Sequence, residues 1–149
     1  MKVYAMLVLA AGLLVAADTP QEGTIPKDFQ DLQGTWQVTS VTSDGKDIPA
    51  EEIKGFKVRI QGDKYTLEVD KQVLEEGQLK VDSSQKPKTI DSIAATGANK
   101  GKSQRGIYEV EGDNLKICFA PPGKDQRPTE LASKPGSLNE LSVYKKEKP

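Results

Sequence analysis

Two tetrads constrain this chain more than any other feature: Gln61-Gly62-Asp63-Lys64 and Glu111-Gly112-Asp113-Asn114. Each places a two-residue turn with glycine first, suited to type II′ or I′ geometry, between runs that alternate apolar and polar residues. Folding the chain at the first turn pairs Ile60 with Tyr65, Val58 with Leu67 and Phe56 with Val69 on one face. The other face receives Arg59 with Thr66 and Lys57 with Glu68, an opposite-charge pair. The second turn repeats the logic. Val110 meets Leu115, Tyr108 meets Ile117 and Gly106 meets Phe119, while Glu109 faces Lys116 outside. Cross-strand pairs contribute about 0.2–1 kcal/mol each. They also set register, because a slip of one residue turns every apolar side chain outward.

The same rhythm runs through the rest of the chain. Strands are expected at Thr35–Thr42, Phe56–Gln61, Lys64–Val69, Val73–Asp82, Lys88–Ala95, Gln104–Glu111, Asn114–Phe119 and Leu138–Lys146, with one helical turn over Ala50–Lys54. Short strands at this spacing, with no helical pattern beyond a turn or two, predict an all-β fold: an eight-stranded antiparallel up-and-down β-barrel. The barrel domain is placed at 31–149. Before it, 18–30 is polar and carries Pro20, Gly23 and Pro26, so it reads as a flexible leader. Residues 1–17 read as a signal peptide: Lys2 is a short positive n-region, Ala5 to Ala17 is apolar, and small residues precede cleavage near Ala17. The apolar run is shorter than the roughly 20 residues of a membrane span. The mature chain is therefore expected to be extracytoplasmic, periplasmic or secreted, with no stable membrane span after cleavage.

Composition narrows the chemistry. The 149 residues include no His and a single Cys, and 21 Lys and Arg stand against 22 Asp and Glu. That excludes His-based acid/base catalysis and His- or Cys-rich metal sites, and it leaves no basic excess for nucleic acid. No cofactor, metal site or catalytic residue is assigned, and no enzyme activity is expected. Cys118 cannot form an internal disulfide; it is expected to be buried, although the hairpin count puts it opposite Ile107 on the outer face, where a short helix or the leader would have to cover it.

The candidate ligand-binding set is Trp36, Phe56, Val58, Tyr65, Glu75, Tyr108, Ile117 and Phe119. Glu75 is the anomaly among them. If Asp70-Lys71-Gln72 is a three-residue connection, Val73, Glu75, Gly77, Leu79 and Val81 point inward; a change of one residue would instead put Leu74 and Glu76 inside. A carboxylate within a barrel is costly unless paired or hydrated, so an inward Glu75 would orient a ligand or hold water. Gly77, opposite Tyr65, leaves room for the ring or for a guest. The Pro-rich stretch Ala120–Glu130 offers a second surface, with Lys124, Arg127 and Glu130 as partner-loop candidates; pairing of Arg127 with Glu130 would instead brace the loop. Gly97 to Ser103 ends in Gly-Lys-Ser but has three residues rather than four between its glycines and no following helix, so it is a hairpin connection and not a phosphate loop.

Gly34-Thr35-Trp36 at the first strand resembles the lipocalin and wider calycin signature, in which the Trp closes one barrel end and stacks on a basic side chain of the last strand. Lys145 or Lys146 would be that cation. More widely, the chain from Asp31 onward resembles an uncharacterised lipocalin-like domain family known mainly from planctomycete genomes. The matching stretches are Leu32–Trp36, Lys86–Asp91, Gly106–Glu109, Gly112–Cys118, Ala120–Lys124 and Arg127–Glu130. Leu131 stands where that pattern usually has Phe, and Ser92 where a larger apolar residue is common. The resemblance implies a lipocalin-like barrel and no established activity. Two functions are carried forward: an exported barrel that binds a small, mostly apolar ligand inside, and a protein-interaction or inhibitor module that works through the 120–130 loop over a filled core.

Overall fold

The structure, a computed structural model, describes residues 25–148. The segment expected to be a signal peptide and most of the expected leader lie outside the described residues. The strands are β1 (Gly34–Ser43), β2 (Lys46–Asp47), β3 (Phe56–Gln61), β4 (Lys64–Val69), β5 (Gln72–Asp82), β6 (Lys88–Ala94), β7 (Ser103–Glu111), β8 (Asn114–Phe119) and β9 (Glu140–Lys146), with two single-turn helices, α1 (Lys27–Gln30) and α2 (Ala50–Ile53). Apart from the two-residue β2, which extends β1 at one edge, each strand pairs antiparallel with the next, and β9 returns to β1. The result is a closed eight-stranded up-and-down barrel.

Both Gly-Asp hairpins form in the expected register, from Phe56↔Val69 to Gln61↔Lys64 and from Gly106↔Phe119 to Glu111↔Asn114. Gly62 and Gly112 have φ of 61° and 58°. A positive φ at the first turn position alone is the type II′ pattern. The ion pairs on the outer face are diagonal rather than directly opposite: Arg59 reaches Glu68 at 3.1 Å, and Lys57 pairs with Glu147.

The β4–β5 connection corrects one expectation. Asp70 and Lys71 both have positive φ, giving a two-residue turn that pairs Val69 with Gln72, and a bulge then shifts the register so that Leu67 faces Glu75. A shorter turn plus one bulged residue amounts to the same count as a three-residue turn, so Glu75, Gly77 and Leu79 still face inward. Val73 and Leu74, before and within the irregularity, lie exposed outside.

The two ends of the barrel differ. At one end α1 and the segment after it form a plug. Phe29, Leu32 and Trp36 are buried, and the Trp36 indole N–H donates to the Leu32 carbonyl at 2.8 Å. The Gln33 amide ties this plug to the β3–β4 turn, donating to Phe29 O and Gly62 O and accepting from Gly62 N. The Asp28 carboxylate accepts from the Ser83 hydroxyl on the β5–β6 connection. The leader therefore ends earlier than expected, since 27–30 is helical and Phe29 belongs to the core. Lys146 is the basic partner of Trp36, its ammonium 5.5 Å from the ring centroid. Gly34 makes that stacking fit. Its φ is +114°, and a Cβ there would stand 3.1 Å from the Lys146 stem.

Candidate functional site

Above the plug the barrel is hollow. A cavity of about 320 Å³ opens toward the end that carries α2, the β4–β5 turn, the β6–β7 loop and the long β8–β9 connection. Its wall is alternate residues of the strands, apolar almost throughout: Val38, Val41, Phe56, Val58, Ile60, Leu67, Leu79, Ile90, Ile117 and Phe119, with Ile48 and Ile53 from the α2 region at the mouth. On β1 a bulge between Val38 and Ser40 lets Val41 as well as Val38 face inward. Small residues keep the space open. Gly77 is one of them, since a Cβ there would lie 2.6 Å from the Tyr65 ring and 2.2 Å from the Ile93 carbonyl, so the glycine makes room for the ring itself. Ser92 is another, buried opposite Leu79 where a larger side chain would fill the interior.

Two polar groups interrupt this wall. On one side the Tyr65 hydroxyl donates to Glu75 Oε1 at 2.6 Å, Asn99 of the β6–β7 loop donates to Glu75 Oε2 at 3.4 Å, and Ser92 lies within hydrogen-bonding reach of Tyr65. On the other, Glu140, Ser142 and Tyr144 follow one another on the inner face of β9. Burial pushes the Glu140 carboxyl above its usual range, and the Ser142 hydrogen bond opposes that shift. Glu140 itself stands exposed at the rim.

Five of the eight candidate residues line the cavity throughout their depth in the barrel or near its mouth: Phe56, Val58, Tyr65, Ile117 and Phe119. Glu75 joins them as the polar member. Trp36 and Tyr108 do not. Trp36 is enclosed in the plug, and Tyr108 packs near it, with the charges of Asp28, Asp31 and Asp82 around its ring. Both are inward, but they sit too close to the closed end to reach the open space. Glu140, Ser142, Tyr144, Ile90 and Gln104 are lining residues that the sequence reading did not single out. The inward alternation of β9 from Lys146 back through Tyr144 and Ser142 to Glu140 was the available signal.

The Pro-rich connection also differs from expectation. It folds back over the outer wall of β7 and β8, with Pro128 buried and Ala132 O accepting from the Cys118 thiol at 3.6 Å. Among the described residues it is this loop, and no helix, that covers Cys118, and Ile107, Cys118 and Ala120 form a small outer core beneath it. Arg127 does not pair with Glu130. Its guanidinium donates to both Asp91 oxygens, at 2.6 and 3.2 Å, and to Gly106 O at 2.7 Å. Glu130 pairs with Lys134 instead, while Lys124 is exposed.

Burial raises the pKa of the three barrel tyrosines: Tyr108 and Tyr144 are pushed up to about 12, and Tyr65 is raised further by its bond to Glu75. The native state therefore holds phenolic protons that the unfolded chain releases from its ordinary value of 10.0 upward. The stability these groups confer is intact below that pH and is lost as the pH climbs toward 12. In a spectrophotometric titration, phenolate absorbance from Tyr65, Tyr108 and Tyr144 is expected to appear only as near-UV dichroism collapses. Ionisation at ordinary pH with the dichroism intact would contradict this burial.

No protein-family model and no curated protein matches the chain. Among the described residues, no helix is long and apolar enough to cross a membrane, and no group of three or more Cys, Asp or Glu side chains is placed to hold a metal ion.

Proposed function

We propose that this is an exported, lipocalin-like carrier that takes a small, mostly apolar ligand into the barrel interior. The observation behind this reading is the cavity: an apolar chamber of about 320 Å³ with one plugged end and one mouth. Small-molecule pockets occupy roughly 300–1,000 Å³, are lined mainly by hydrophobic side chains and carry a few placed polar groups. The chamber matches that description at its small end, so a single short chain or compact ring system is the size of guest it suits. The Trp36 plug and its Lys146 partner support the resemblance to lipocalin and calycin barrels. The partner-module alternative draws less support, because Arg127 is engaged by Asp91 and Gly106 within the molecule.

The test is native mass spectrometry of the exported protein, purified without detergent, together with titration by an apolar dye that fluoresces on leaving water. Saturable dye binding at one site is expected. Val58→Phe, which grows a wall residue into the chamber, is expected to weaken that binding at least about tenfold while the melting temperature is kept or raised. Unchanged dye affinity in Val58→Phe would move the site to the surface and sink the proposal, as would the absence of any binding by the wild-type protein.

A further inference from the structure

Resting on the interior-ligand reading, we propose that the barrel selects a lipophilic amine, bound tail-first with its protonated nitrogen at the mouth between Glu75 and Glu140. The charge on the cavity wall has one sign. Two carboxylates belong to it, and no Lys or Arg is among its lining residues. They come from β5 and β9, which stand four strands apart in the ring of eight and so face each other across the chamber. Both also lie toward the open end. Glu75 pairs with Leu67, two residues before β4 ends, and Glu140 is the first residue of β9. Deeper in, the wall is Ile60, Ile90 and Ile117. Polarity therefore runs along the barrel axis, acidic at the mouth and apolar toward the plug, which is the order of head and tail in an amphiphile.

The three head-group chemistries differ sharply in such a site. A carboxylate would meet two like charges in a partly dry wall, where repulsion is screened less than in water. A hydroxyl would find acceptors but no charge complement. An ammonium offers up to three donors, and the acceptors are in place: two carboxylates, together with Tyr65 and Ser142 hydroxyl oxygens. The Tyr65 proton is directed at Glu75, so its oxygen serves as an acceptor, with the Ser92 hydroxyl already within reach of it. Desolvating an ammonium fully would be costly, so the head stays at the mouth and the tail fills the chamber. Lys54, Lys71 and Lys100 on the surrounding loops are exposed, where solvent screens them.

Three probes with one tail separate the possibilities: octylamine, octanol and octanoate, titrated calorimetrically into the exported protein at neutral pH and in competition with the apolar dye. The amine is expected to bind about tenfold tighter than the alcohol, as charge-assisted hydrogen bonds imply, with octanoate weakest. Raising the salt should weaken the amine alone. Glu75→Gln combined with Glu140→Gln should reduce the amine to the affinity of the alcohol and leave the alcohol unchanged. If Glu75→Gln disturbs the Tyr65 contact enough to unfold the barrel, Glu140→Gln and the salt series carry the same test. Equal binding of amine and alcohol, or tightest binding of octanoate, overturns the amine proposal while leaving an interior ligand site. Failure of all three and of the dye overturns both.

Discussion

Trp36→Ala is expected to lower the melting temperature by roughly 10–20 °C, the largest single-residue effect in the molecule, from a loss of about 3–5 kcal/mol. The indole is fully enclosed, and its N–H satisfies the Leu32 carbonyl. Truncation would leave a void beneath the chamber and a carbonyl without its donor. Lys146→Met separates burial from the cation–π contact. It keeps the aliphatic stem over the ring and removes the charge, and is expected to cost no more than about 1 kcal/mol. Thermal unfolding followed by circular dichroism reads both variants. A Trp36→Ala barrel that melts with the wild type would mean that the plug does not hold the closed end.

The second large effect concerns the outside of the barrel. Arg127→Ala is expected to raise the rate at which Cys118 reacts with a soluble thiol reagent by roughly 10- to 100-fold. The guanidinium makes three hydrogen bonds to Asp91 and Gly106, and the Arg127 and Asp91 side chains are only 28% and 29% exposed. Hydrogen bonds to charged groups contribute about 1.5–3 kcal/mol, and every 1.4 kcal/mol taken from a local closing equilibrium is about tenfold in the open fraction. In the native loop the thiol is covered and its pKa is raised by that burial, both of which suppress reaction. Asp91→Asn should act in the same direction, and the two changes together should add little beyond either alone. Thiol kinetics indifferent to Arg127 would show that the outer core, not this staple, holds the loop down.

These two regions mark where the chain was legible and where it was not. The Gly62-Asp63 and Gly112-Asp113 hairpins could be paired residue by residue, because a two-residue turn and strict alternation leave one register that buries the apolar face. Tyr65, Phe56, Val58, Ile117 and Phe119 followed directly from that count. Glu75 was reached by a connection of the wrong length, since a tight turn and a bulge mimic a longer turn in sequence. Arg127 and Asp91 lie 36 residues apart on a loop and an outward strand position, with no periodicity linking them. Phe29 sat in a polar segment too short to show a helical pattern. Glu140 was in an expected strand, but its facing depends on barrel closure, which local pairing does not report.

That closure has a kinetic consequence. β1 is paired on one side only by β9, the last strand among the described residues, along the register from Trp36↔Lys146 to Ser43↔Glu140. Until those final residues are available, the first strand keeps a bare edge, the plug has no Lys146 to lie across Trp36, and the sheet cannot round on itself. Every hairpin can form locally, yet the ring closes through contacts of the greatest sequence separation, which places the entropic cost of folding late. Anything that keeps β9 from reaching β1 would therefore hold the whole barrel open, and the arrival of that strand would set the moment at which the interior comes into being.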